Sequence, residues 1–414
     1  MPSRSYGQIV PIPFPTQSEL SPLFDEQEAE YDHLRERQER HELHHRQLTL
    51  DARSIIPFCD TALTTGFDIR AKLLTSLTVF FDKPEGSQYV WPKPMNTVIV
   101  NDTLGVLTSL RDLTITGLEP RNDGWILDSC GALLERFCTD LWSLSKEMVS
   151  FLKKQTHLTS LIFIPKYRPQ TKSNMYALLY RVDSTFLRAL RTLRCGGGFL
   201  LFLERSRPKG MPPVRNLRVD LFATDRLLHT RILNALSLFG DTLKSLSLRF
   251  EAPAYSTRHV DDTICKFAEG SESWARLKFL EVRGMMYSRQ AEKDFLHAIF
   301  RHFPRLRVLI WVPAYFAPDG HRLHPARVAS QFLLRCQKLR RFVFVGPEVQ
   351  DIMPPKYASY MKLKEDDLYV EGRLKRFETT WQDGAVFFDH SERGAEEEEE
   401  SQGREGQLQD RHEG

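Results

Sequence analysis

One phrase recurs along this chain and restricts its fold more than any other feature. Written Leu-x-x-Leu-x-apolar, it reads Leu74/Leu77/Val79, Leu110/Leu113/Ile115, Leu158/Leu161/Phe163, Leu190/Leu193/Cys195 and Val214/Leu217/Val219. It continues with Leu243/Leu246/Leu248, Leu277/Leu280/Val282, Leu306/Leu309/Trp311 and Leu339/Phe342/Phe344, and Leu134/Phe137/Thr139 is a weaker copy. The copies start 24 to 36 residues apart, and seven of the ten carry leucine at both leading positions. Intervals between copies read as helices. The stretch 225–239 puts Leu228, Ile232, Leu236 and Phe239 on one face ahead of Gly240, and 291–303 aligns Phe295, Ile299 and Phe303 ahead of Pro304. Each unit is then a short strand, a turn and a helix. A unit of this size cannot bury its apolar face alone, so neighbours must stack and share one core. The expectation is an irregular α/β solenoid, with a curved parallel sheet on its concave face and helices outside.

Composition sets the limits of that array. The chain has 414 residues, 41% of them hydrophobic, which exceeds one comfortable compact domain and suits a repeat array. Charge is divided unevenly: residues 1–51 hold ten acidic and five basic side chains, and 389–414 hold ten acidic and three basic. Subtraction from the totals, 57 basic and 54 acidic, leaves 49 basic and 34 acidic residues in 52–388, a core near +15 between acidic ends. Four regions follow. Residues 1–70 read as a Pro-rich segment and a charged, loosely docked helix, and 71–345 as the repeats. Residues 346–388, with Tyr357, Tyr360, Tyr369, Phe377, Trp381 and Phe387, read as a C-terminal cap, and 389–414 as a disordered acidic tail that includes five consecutive glutamates, 396–400. The six cysteines form no C-x-x-C pair, and no stretch approaches 18 uncharged apolar residues. Reduced thiols and a cytoplasmic or nuclear location, with no membrane partner, are expected.

The segments LTSLRDLTI, HLTSLIFI, TLKSLSLRF, RLKFLEV and RLRVLIWV, spread over about residues 70–345, resemble a leucine-rich-repeat domain of the irregular, long-repeat kind. The chain resembles the fungal F-box/leucine-rich-repeat-like proteins. That resemblance implies a non-catalytic protein-recognition scaffold, of the sort that serves as substrate receptor of a ubiquitin ligase. Two departures stand beside it. No Leu-Pro-x-Glu-like phrase opens an F-box between Met1 and Leu74. The ninth repeat position, usually Asn or Cys, is here occupied by residues such as Asp82, Leu118 and Lys166, so the turns must close differently.

Candidate contacts come from strand alternation. With the leucines pointing into the core, motif positions three, five and seven face the other way, and this assigns Arg136, Arg194, Arg218, Arg249 and Arg283 to the concave face. Guanidinium is a planar bidentate donor, so such a face suits an acidic or phosphorylated protein partner. Nucleic-acid phosphate is the runner-up ligand. The competing reading is a face whose arginines pair with neighbours such as Asp220 and Glu281. Farther on, Val308, Ile310, Val312, Val343 and Val345 make two strands apolar on both sides, which require a cover.

Other motifs carry less. His41 and His45 have i, i+4 spacing within HELHH but lack a third ligand at a convincing distance. Gly196, Gly197 and Gly198 lack the G-K-[ST] of a phosphate loop and read as relief of crowding in a turn. No nucleophile signature is present, so neither enzymatic activity nor a cofactor is expected.

Overall fold

The computed structural model describes residues 46–51, 53–64, 73–81, 94–117, 123–140, 145–164, 182–183, 185–206, 212–221, 226–236, 239–250, 274, 276–313, 315–316, 325–345, 357–364 and 367–374. Fifteen strands lie among them. They are β1 Gln47–Leu50, β2 Ser76–Phe80, β3 Asp112–Thr116, β4 Arg136–Thr139, β5 Ser160–Phe163, β6 Thr192–Gly196, β7 Asn216–Leu221 and β8 Ser245–Phe250. There follow β9 Phe279–Arg283, β10 Met286–Tyr287, β11 Val308–Val312, β12 Tyr315–Phe316, β13 Arg341–Val345, β14 Tyr357–Lys364 and β15 Asp367–Leu374. Among the described residues, seven α-helices are present: α1 Ile55–Leu63, α2 Pro94–Val106, α3 Lys146–Lys154, α4 Gly197–Ser206, α5 Arg226–Leu236, α6 Arg289–His302 and α7 Pro325–Arg335.

All ten copies of the leucine phrase are strands, and each strand begins two residues after its leading apolar residue. Together with β1 they form eleven parallel strands of one sheet in sequence order, closed at the far edge by the antiparallel hairpin β14–β15. β10 and β12 form a separate two-stranded sheet. Register is strict: Leu77, Leu113, Phe137, Leu161, Leu193, Leu217, Leu246, Leu280, Leu309 and Phe342 are partners in a single row. One backbone feature repeats with the sequence. At each of nine steps from β2 to β13, the carbonyl just before the strand accepts two N–H groups from the next unit, as Arg191 O does from Arg215 and Asn216. The repetition in sequence is therefore a repetition in hydrogen bonding.

The leucine rows and the apolar helix faces form one core. Ser145 caps α3 by accepting from Met148 N at 3.2 Å, and Met148, Val149, Phe151 and Leu152 are buried beneath. α6 is capped in the same way by Ser288. Two buried polar side chains close described turns. Buried Asp140 accepts from Gly117 N at 2.6 Å, and the amide of buried Gln155 accepts from Leu134 N at 2.8 Å while donating to Ala132 O at 3.1 Å. Each reaches across from a neighbouring unit.

Two readings change. The sheet begins at Gln47, not near residue 71: β1 pairs with β2, and Ile55, Cys59 and Ala62 of α1 are buried. The glycine triplet is a strand-to-helix junction. Gly196 ends β6 and Gly197 opens α4, where a Cβ would stand 2.2 Å from Ile232 Cδ1 of α5. The absent side chain lets two helices approach. Of the proposed cap, 357–364 and 367–374 supply the edge hairpin. The charged helix, the histidine cluster and the acidic tail lie outside the described residues.

Candidate functional site

The two faces of the sheet differ in chemistry. Opposite the leucines, the central row runs Thr78, Thr114, Cys138, Ile162, Arg194, Arg218, Ser247, Glu281, Ile310 and Val343. The next row toward the strand ends runs Gly196, Asp220, Arg249, Arg283 and Val312.

Burial divides this arginine face in two. From Thr78 to Arg194 the central row is half-exposed, as alternation predicts. From Arg218 onward it is buried: Ser247, Glu281, Ile310 and Val343 are all at 2% exposure or less. The apolar strands are thus covered within the chain itself, and Phe279, Ile310 and Val343 form a second small apolar cluster there. An open half, β2 to β6, meets a covered half, β7 to β13.

Four of the five candidate arginines meet at that border, on the adjacent strands β6 to β9. Arg194 and Arg218 are register partners, as are Arg249 and Arg283. Like charges side by side would repel, and two carboxylates separate them. Asp220 accepts from Arg194 Nε at 3.1 Å and Arg218 Nε at 3.2 Å. Glu281 pairs with Arg283 Nε, with Arg249 Nη2 at 3.7 Å, and accepts from Ser247 Oγ at 2.5 Å. Each carboxylate is held between two guanidiniums, with Asp220 two residues after Arg218 and Glu281 two before Arg283. Among the described residues, four cations face two anions, a local excess of two positive charges.

That excess is partly desolvated. Burial brings Arg218 down to about 10; Asp220 opposes this, and the cations Arg194 and Arg249 add to it. Burial is also the main reason that Arg249 lies below its ordinary range. Nε of Arg249 and Nη2 of Arg283 are buried and meet no acceptor among the described residues. Yet the side chains of Arg194, Arg249 and Arg283 keep 20%, 28% and 19% of their exposure, so they form the solvent-reached rim of the cluster. An anion arriving there would meet the exposed parts of three guanidiniums, two of which carry a further buried donor that no described acceptor satisfies.

Arg136 stands apart. It lies on β4, two strands from Arg194 and one row farther from the cluster, is two-thirds exposed, and is held bidentately by Asp112 at 2.5 and 2.6 Å. Arg218 is corrected in another sense. Strand alternation sends it away from the leucine core but not to solvent, since it is 7% exposed. The signal for the pairing was present in the sequence as Arg-x-Asp at 218–220 and Glu-x-Arg at 281–283, which put opposite charges on one face of a strand.

The open half is chemically quiet. Thr78, Thr114, Cys138 and Ile162 carry no charge, and burial raises the Cys138 thiol to about 11, so it lines the face as a neutral group. The five described cysteines are unpaired. Among the described residues, no group of three or more His, Cys, Asp or Glu could hold a metal ion, and no helix is long and apolar enough to cross a membrane. No known protein family matches the chain, and no curated protein matches it.

Proposed function

We propose that the chain is a non-catalytic recognition protein built as a leucine-rich-repeat solenoid, and that its partner is an acidic protein segment laid across the arginine face. One observation carries this reading: an uncharged, half-exposed row from Thr78 to Ile162 leads into a partly buried cluster in which, among the described residues, four arginines share two carboxylates. Small side chains leave room for an extended backbone. The rim arginines Arg194, Arg249 and Arg283 offer charge-assisted hydrogen bonds to an acidic or phosphorylated side chain at its end.

The arrangement favours protein over nucleic acid. A strand of nucleic acid presents phosphate at every nucleotide and is held by a continuous cationic groove. Here the row that leads to the cluster is neutral, and Arg136 beside it is occupied by Asp112. A ligase-receptor role belongs to this proposal as one use of such a surface, with adaptor contact assigned to residues 1–70.

The test is to block the open half without touching the cluster. Thr114→Glu with Ile162→Glu places two larger, anionic side chains on half-exposed positions, where substitutions cost little stability and an acidic segment is repelled. Capture of partners from native extract should be lost while the melting temperature stays within about 2 °C of wild type, the shift expected for about half a kcal/mol. Unchanged capture removes the open half from the account. Capture dominated by RNA or DNA, and falling steeply with salt, would establish the nucleic-acid reading instead.

A further inference from the structure

The proposed acidic partner has a rival inside the same chain. Residues 396–400 are five glutamates in succession, within a tail of ten acidic and three basic side chains, whereas the arginine cluster has, among the described residues, four cations to two anions. The topology brings that tail to the correct end of the sheet. β15 ends at Leu374, which pairs with Tyr357 of β14, and Tyr357 pairs with Val345 at the end of β13. On the next strands, Phe344 pairs with Trp311 and Val312 pairs with Arg283. The chain therefore leaves the sheet at the same level along the strands as Arg249 and Arg283, not at the opposite end.

Distance agrees. β15 is four strands from β9, five from β8 and seven from β6, which at about 4.8 Å per strand puts Arg283, Arg249 and Arg194 about 19, 24 and 34 Å away. Residues 375–395, 21 in number, separate the last strand from the first glutamate of the run, a path of 22 residue-to-residue steps. A random chain of that length has an r.m.s. span of about 26 Å, within the range of those separations, and this match gives effective concentrations on the order of millimolar.

From this charge and topology we infer that residues 396–400 dock on the rim formed by Arg194, Arg249 and Arg283, where they compete with an acidic partner. The inference rests on the recognition reading above and adds its regulation: the partner must displace the chain's own tail. The apparent affinity for any acidic segment is then reduced by the fraction of molecules in which the tail occupies the rim.

The test uses the full chain and a full-length variant carrying Glu→Gln at all five positions from Glu396 to Glu400, each titrated with a free, acetylated and amidated pentaglutamate peptide. Removing the competitor should raise the peptide's apparent affinity about tenfold at low salt. The difference should vanish by about 0.5 M salt, where screening shortens to a few ångströms. Equal binding by both proteins overturns the tail inference and leaves the recognition reading standing. Binding by neither overturns both, since the rim then does not take acidic segments at all.

Discussion

The sharpest consequence of the arginine cluster is an asymmetry between its anions and its cations. Glu281 is fully buried, pairs with Arg249 and Arg283, and accepts from Ser247. Glu281→Gln keeps the shape but removes the charge, which raises the local excess among the described residues from two positive charges to three, with Arg218 already buried beside it. Two unit charges about 4 Å apart interact by about 4 kcal/mol at an effective dielectric constant near 20. Removing one partner of a buried pair typically costs about 3–5 kcal/mol, because the other is left uncompensated. Arg249→Gln acts in the opposite direction: the excess falls to one, Glu281 keeps Arg283, and a side chain with 28% exposure loses a screened interaction of less than about 1 kcal/mol. Urea unfolding followed by far-UV circular dichroism measures both. A midpoint for Glu281→Gln well below that of Arg249→Gln is expected. Equal losses, or a larger loss for Arg249→Gln, would refute the claim that the cluster holds excess positive charge.

Other perturbations test the scaffold. Leu246 is fully buried in the leucine row, so Leu246→Ala should lower stability by about 2–5 kcal/mol through the cavity it leaves, measured by the same unfolding. Gly197→Ala should cost about 1–3 kcal/mol by forcing α4 from α5, and Ile232→Ala in the same molecule should recover part of that loss, because the obstructing atom is Ile232 Cδ1.

How much of this was legible in the sequence depended on the range of the interaction. The strands were legible because the leucine phrase is local and its two apolar positions must share a face; all ten copies lie in the sheet in chain order. β1 escaped because its copy is incomplete. Leu48 and Leu50 pair with Leu77 and Val79, but His45 stands where the other copies have a leading apolar residue, and charged residues precede it. The close helix contact at Gly197 depends on Ile232, 35 residues away, which no local pattern specifies. The arginines were legible as a set on one face, and their neighbours Asp220 and Glu281 could be named. What alternation could not show was that this face is covered from β7 onward, because alternation assigns a side chain to a face of the sheet and does not specify what lies over that face. That cover turns Arg218 from a surface contact into a buried charge and leaves Arg194, Arg249 and Arg283 as the rim.

The most direct measurement of the central claim is where a bound partner lies. A photo-crosslinking residue at Thr114, half-exposed on the open arginine face, is compared with one at Phe300, 61% exposed on the outer side of α6. The account predicts that the Thr114 probe forms a covalent adduct with the captured partner and that the Phe300 probe does not. An adduct at Phe300 with none at Thr114 would place the partner on the helices and contradict the account.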